Sequence, residues 1–246
     1  MNSDNRFKTA LAAHDHIAPT PEDGEALYEF YKDCVGFDMR HSGLWQDDYA
    51  EVVGLPCGGL KGKRVLDLGC GMGAQPAGFL RAGADVLAVE LAWWLIRESP
   101  FPELRGRLLQ GDVRNLAVLG DEQFDVVHAS MILEHIPSED IPGVLGNVHR
   151  LLKPGGYAVI ILPTWGADEG IVGGGGDPSH ACLRSAWWWE FRVLTEVLDL
   201  DEAGRLAIER HPMCAGGIGN REQDWPGYHW GVIVARRRPT CECNSS

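Results

Sequence analysis

The chain has 246 residues, 45% of them hydrophobic, enough to bury one substantial core and, in an α/β architecture, to form a single domain. A formal charge of −13 repels polyphosphate, and no basic run exceeds Arg236-Arg237-Arg238, so nucleic acid is disfavoured as a partner. Seven cysteines, odd in number and without a Cys-x-x-Cys pair, fit a reduced, cytoplasmic setting, and neither a secretory leader nor a membrane-spanning apolar run is indicated.

Residues 1–60 lack strand alternation and carry apolar residues at helical spacing, among them Leu27, Tyr28, Phe30, Tyr31 and Val35, which predicts helices before any sheet. From Lys63 onward short apolar strands, near 64–68, 85–90, 107–110, 124–128 and 156–162, alternate with helical segments. That alternation calls for a parallel sheet with right-handed crossovers. The first strand runs into Val65-Leu66-Asp67-Leu68-Gly69-Cys70-Gly71-Met72-Gly73, where glycines let the backbone turn sharply and approach a ligand beside the N-terminus of the next helix. That helix is expected to continue through Phe79 to Ala82 and to stop at Gly83.

Gly69-x-Gly71-x-x-Ala74 also satisfies a dinucleotide fingerprint, so the acids at the next strand ends have to decide the ligand. Glu90 closes the second strand at the spacing where a carboxylate accepts from ribose hydroxyls, which a dinucleotide would want too. Asp112, after the third strand, could accept from an adenine amino group, which a dinucleotide site does not need. Asp67 is awkward beside a pyrophosphate and suits an ammonium or sulfonium. Further on, a helix near Ile141 to Leu152 ends at the breaker Lys153-Pro154-Gly155-Gly156. Residues 166–179 include four consecutive glycines and read as a loop above the crevice, a mobile cover over an acceptor. Trp187-Trp188-Trp189 with Phe191 reads as a helix with more aromatic surface than one buried face needs, one ring of which could wall a pocket.

Five segments in order resemble the class I S-adenosylmethionine-dependent methyltransferases of the type 11/12-like, small-molecule kind: Val65 to Gly73, Val86 to Leu91, Gly111 to Val113, Phe124 to His135, and Leu152 through Gly156 into Tyr157 to Leu162. The resemblance implies a Rossmann-like, seven-stranded, mostly parallel sheet with helices on both faces, an N-terminal helical extension, and a loop/helix lid after the fifth strand. The last two strands would be near Arg205 to Glu209 and Tyr228 to Arg236. Residues 1–60 would be an extension of the same domain, 61–240 the methyltransferase domain with its lid at 164–190, and 241–246 a tail. S-adenosyl-L-methionine is the implied cofactor. Gly69, Cys70, Gly71 and Gly73 would line its methionine and ribose region and Asp67 would lie near its amino group. Glu90 would hold the ribose, Leu91 would pack on the adenine, Asp112 and Val113 would read its edge, and Ala129, just beyond the fourth strand, would offer backbone to the methionine part.

Phe124 to His135 is similar to ubiquinone-type O-methyltransferases, in which an acid-x-x-Glu-His arrangement can hold a divalent metal. Here Met131 stands in the first acid's place, and a thioether is a poor ligand for a hard cation, so no metal is expected. His135 is either a base or a helix-start histidine bonded to backbone. His180, after the glycine run, is the other candidate base, and His128 reads as strand-end structure. The expected activity is methyl transfer by in-line displacement to a small-molecule acceptor, at a hydroxyl in preference to an amine. A protein or RNA methyltransferase and a non-catalytic cofactor-binding subunit are the alternatives. No membrane partner is expected, and assembly as a homodimer is compatible with this reading.

Overall fold

The computed structural model describes residues 47–165, 181–182, 184–195, 198–211 and 228–238. Strand β1 (Arg64–Leu68) is buried at Val65, Leu66, Asp67 and Leu68 alike, the mark of a central strand covered on both faces. It pairs in parallel with β2 (Asp85–Glu90) on one side and β4 (Phe124–Ser130) on the other. β3 (Leu108–Gln110) extends the sheet beyond β2, and β5 (Leu152–Trp165) continues it beyond β4, both in parallel register. β7 (Tyr228–Arg237) lies antiparallel between β5 and β6 (Leu198–Leu200), giving the order β3-β2-β1-β4-β5-β7-β6. The expected seven-stranded, mostly parallel sheet is present.

Alternate residues of each strand supply two cores. Val65, Val86, Val126, Val159, Ile161, Val232 and Val234 pack under α1 (Asp47–Gly54), α2 (Ala74–Arg81) and α6 (Glu202–Glu209), which contribute Tyr49, Val52, Val53, Phe79 and Ile208. Leu66, Leu68, Val127, Ala129, Ile160 and Ile233 pack on the opposite face under α4 (Ile141–Leu151) and α5 (Ala186–Thr195). In α4 the buried positions Ile141, Val144, Leu145, Val148 and Leu151 follow the three-and-four spacing of a single helical face. α2 closes as expected: Gly83 takes φ 88°, its N–H donates to the Leu80 carbonyl, and Ala84 N–H donates to Phe79.

Two sequence expectations change. Arg205 to Glu209 belongs to α6, and the sixth strand is the short segment Leu198–Leu200. The Asp201 side chain accepts from Gly204 N–H at 3.0 Å and caps the helix, while Arg205 bridges Glu202 and Glu209, three residues before it and four after it. That spacing outweighs the apparent alternation of Leu206, Ala207 and Ile208. The breaker Lys153 to Gly156 does end α4, but the chain is already paired with β4 at Leu152, and the ladder shifts register between Phe124 and Val126 to take up the extra residues. The Asp125 carboxylate fastens this corner, accepting from Arg64 N–H and from the Lys153 ammonium, each at 2.8 Å. Burial pushes that carboxyl up, but these donors outweigh it and hold it below its ordinary range. The glycine-rich loop at 166–179, read as a cover, lies outside the described residues.

Candidate functional site

The carboxyl ends of β1, β2, β3 and β4 meet at the glycine loop, which is the place where an open parallel sheet leaves a crevice. Gly69, Gly71 and Gly73 all have positive φ, at 70°, 55° and 95°. The loop is tied to β2 by Gly69 N–H and Cys70 N–H, which share the Val89 carbonyl at 2.9 and 3.1 Å, and Gly73 provides the left-handed residue that starts α2. A Cβ on Gly69 would lie 2.7 Å from the Ile132 side chain, so the loop also packs closely against the segment that follows β4.

Glu90 is buried at the tip of β2. Its Oε2 accepts from Gly71 N–H at 2.8 Å and its Oε1 from Ala92 N–H at 2.9 Å. The carboxylate therefore clamps the glycine loop to the start of α3 (Trp93–Arg97) and spends two of about four acceptor positions doing so. Burial pushes its carboxyl above the ordinary range. The N–H groups of Ala92, Gly71 and Leu91 oppose that rise, and the nearby charge of Asp67 adds to it. The Cys70 thiol is pushed well up, first by burial and then by Glu90 and Asp67, so it remains a neutral thiol. The charge of Asp67 bears on both residues. Asp67 differs from expectation in its own partner: its Oδ1 is bonded to His128 Nδ1 at 2.5 Å.

Asp112 follows β3, beside Gly111, whose N–H donates to the Glu90 carbonyl. Its carboxylate is held by Arg114. Nε reaches both oxygens at 3.1 and 2.9 Å, Nη2 reaches Oδ2 at 2.7 Å, and the Arg114 N–H reaches Oδ1 at 2.8 Å. Arg114 also contacts Asp140, at the N-terminus of α4, at 3.3 Å. An adenine amino group would share an oxygen with this guanidinium rather than meet a free acid. Sequence reasoning missed Arg114, although an acid and an arginine two residues apart just after a strand are a legible signal. Val113 is buried and Leu91 half-buried. β4 runs on to Ser130, so Ala129 lies inside the strand, paired with Leu68 and Ile160 and buried, rather than beyond its end.

After Ser130 the chain turns at Met131, which holds φ 57°, and enters a short 3-10 turn, Leu133–His135. Glu134 is fully buried, and its carboxylate lies 3.9 Å from His135 Nε2. Its carbonyl accepts from Ala181 and Cys182 N–H at 2.8 and 2.9 Å, which brings the start of the α5 region against the end of β4. Within α5, Trp189 is wholly buried in the sheet core, whereas Trp187 is 64% exposed and stacks on Phe191. Trp188 lies between the guanidiniums of Arg184 and Arg192, 5.5 and 4.9 Å from its centre. His180 lies outside the described residues. His128, read from sequence as strand-end structure, is bonded at both ring nitrogens, to Asp67 and to the Tyr49 hydroxyl.

A family model described as a methyltransferase domain matches residues 29–200. Among curated proteins, the ubiquinone biosynthesis O-methyltransferase of Acinetobacter baylyi is 33% identical over 123 residues, 46% of this chain and 46% of that protein. The enzyme of the same name from Acinetobacter baumannii is 36% identical over 110 residues, covering 41% and 44%. The chain therefore spans a little under half the length of these relatives. Among solved structures, the cyclase SpnF superposes with TM-score 0.62 at 18% identity over 90% of this chain and 98% of its own. A 1,6-didemethyltoxoflavin-N1-methyltransferase from Burkholderia thailandensis, solved with 1,6-didemethyltoxoflavin and S-adenosylhomocysteine, gives 0.58 at 18% identity over 97% and 92%. At that identity the structures share a fold, and a fold alone hosts more than one chemistry.

Proposed function

The chain belongs to the methyltransferase-domain family whose model covers residues 29–200, and from that membership we propose that it transfers the methyl group of S-adenosyl-L-methionine to a small-molecule acceptor, at a hydroxyl in preference to an amine. The observation that carries the reading is Glu90. This buried carboxylate fixes the glycine loop with two acceptor positions and keeps two for a vicinal diol such as a ribose. The O-methyltransferase relatives favour oxygen as the atom methylated.

When bound, the cofactor supplies a methyl group on a sulfonium whose positive charge is lost in the displacement. The protein's contribution is alignment and exclusion of water. Glu90 holds the ribose, and Asp67 meets the ammonium with the oxygen that His128 does not use. Gly69, Gly71 and Gly73 keep side chains out of the bend, and Cys70 adds an uncharged wall. Leu91 and Val113 flank the adenine, while Asp112 and Arg114 together form its polar edge. The backbone around Ala129 and Ser130 borders the methionine part. His135, beside the buried Glu134 at the exit of β4, and His180 are the two candidates to take a proton from an acceptor hydroxyl.

In the same reading residues 1–60 and 61–240 act as one domain in the cytoplasm, with a small molecule rather than a macromolecule as partner, and light scattering tests for a homodimer. Calorimetric titration with S-adenosylmethionine and separately with NAD tests the cofactor, with binding of the first alone as the expected result. Release of S-adenosylhomocysteine during incubation with panels of phenols and amines then tests catalysis and the atom methylated. Absence of S-adenosylmethionine binding refutes the proposal. Binding without turnover of any acceptor returns the protein to the non-catalytic alternative.

A further inference from the structure

On the sheet face covered by α1 and α2 lies a polar chain that the transfer reaction does not itself use. Asp67 and His128 are neighbours across the β1–β4 ladder, and the carboxylate Oδ1 is 2.5 Å from Nδ1 of the imidazole. The other ring nitrogen, Nε2, is 3.0 Å from the Tyr49 hydroxyl, carried there by α1 from 79 residues away in the chain. All three residues are largely buried, with 2%, 1% and 5% of their surfaces exposed. Phe79 of α2 closes the assembly, edge-on to the imidazole at 5.2 Å and stacked on the Tyr49 ring at 6.4 Å. Removed from water, these groups keep their hydrogen bonds because the protein supplies each partner.

We assign one proton arrangement to this chain, with a neutral imidazole between the carboxylate and the phenol. An ionised carboxylate only accepts, so Nδ1 carries the hydrogen. Nε2 of the neutral ring then presents a lone pair, and the rotatable phenol donates to it. Tyr49 thereby selects the tautomer in which His128 can donate to Asp67. Among the described residues, Cys70 and Glu90 at the loop both feel the charge of Asp67. Asp67 stands in β1 two residues before Gly69, so it is the end of the chain that adjoins the glycine loop.

We propose that Tyr49 and His128 are positioning residues for cofactor binding: they commit Oδ1 of Asp67 to the imidazole and hold the carboxylate in one orientation, leaving Oδ2 for the cofactor's ammonium. Helix α1, through Tyr49, thus sets the affinity for the amino-acid half of the ligand. The inference rests on the reading that Asp67 meets that ammonium.

The test separates the two halves of the ligand. The full chain and its variants are titrated calorimetrically with S-adenosylhomocysteine and with methylthioadenosine, which keeps the adenosine and the sulfur and lacks the amino acid. Tyr49→Phe is expected to weaken S-adenosylhomocysteine about tenfold, the worth of one ordered hydrogen bond, and to leave methylthioadenosine unchanged. His128→Asn, which keeps an N–H near the Nδ1 position, is expected to recover most of the affinity that His128→Ala loses. The 15N spectrum of His128 should show a lone-pair Nε2 in the wild type that shifts in Tyr49→Phe. Equal losses for both ligands, unchanged S-adenosylhomocysteine binding in Tyr49→Phe, or no recovery in His128→Asn overturns the proposal. If Tyr49→Phe fails to fold, the two His128 variants decide it. Wild-type protein that binds neither ligand overturns the cofactor reading itself, a result distinct from all of these.

Discussion

Replacing Glu90 with glutamine separates what this residue does for the fold from what it does for a ligand. In the folded chain its two oxygens accept Gly71 N–H at 2.8 Å and Ala92 N–H at 2.9 Å. Glutamine retains one of those acceptors and turns an amide N–H₂ toward the other donor, leaving a buried N–H unpaired at about 1–3 kcal/mol. Against this, a neutral amide removes the cost of burying a charge, so the net change in stability is within about 2 kcal/mol. Binding has no such offset. Two hydrogen bonds from a ribose diol to a carboxylate become bonds to a neutral amide, each weaker by about 1–1.5 kcal/mol, which predicts roughly a 30- to 150-fold loss of S-adenosylhomocysteine affinity by calorimetry. The pH dependence supplies a second readout. Because burial raises the Glu90 carboxyl above its ordinary 4.5, the folded state binds more protons than the unfolded chain in the interval above that value, and wild-type stability falls as pH rises through it. Denaturant titrations over that interval should show the variant gaining on the wild type as pH increases. An affinity loss below about threefold in a folded variant, or identical pH dependences, would refute the reasoning.

Four further substitutions test the scaffold. Gly73→Ala forces a Cβ into a residue at φ 95° and to 2.5 Å from the buried Leu104 Cδ1, and should lower stability by about 1–3 kcal/mol in thermal melts. Trp189→Ala, which empties a wholly buried site, should cost about 3–5 kcal/mol in denaturant titration, whereas Trp187→Ala on the same helix should stay within about 0.5 kcal/mol. Asp201→Ala removes the cap from α6 and should cost about 1 kcal/mol by the same measurement.

The parts of this fold written in local pattern are legible before any coordinates. Val65 to Gly73 announces a strand, a bend and a helix start, and Gly83 announces the helix end, because each depends on backbone conformations that few residues adopt. The sixth strand is not legible in that way. Leu198 to Leu200 is three residues long, and the apolar alternation after it belongs to a helix whose cap, Asp201, is the stronger local statement. At the candidate site, residue types and order single out Asp67, Glu90 and Asp112 as candidates, but not what each carboxylate is bonded to. Arg114 reaches Asp112 from nearby in the chain, whereas Tyr49 and His128 reach Asp67 across distances that periodicity cannot encode. The departure at Ala129 has the same origin: the length of β4 is set by its neighbours Leu68 and Ile160 rather than by its own sequence.

Strand β7 occupies an interior lane of the sheet although, among the described strands, it is the latest in the sequence and so leaves the ribosome after its neighbours β5 and β6. Until it arrives, β5 presents a bare rim of amides and carbonyls along Val159, Ile160 and Ile161, and β6 has no ladder to join. The nascent protein must therefore carry an adhesive, unfinished border for the time needed to synthesise some seventy more residues. Vacant edges of this sort recruit the wrong strand, from another copy or from elsewhere in the cell. Yield in a heterologous host should accordingly respond to translation speed between β5 and β7 and to the supply of chaperones that shield that border.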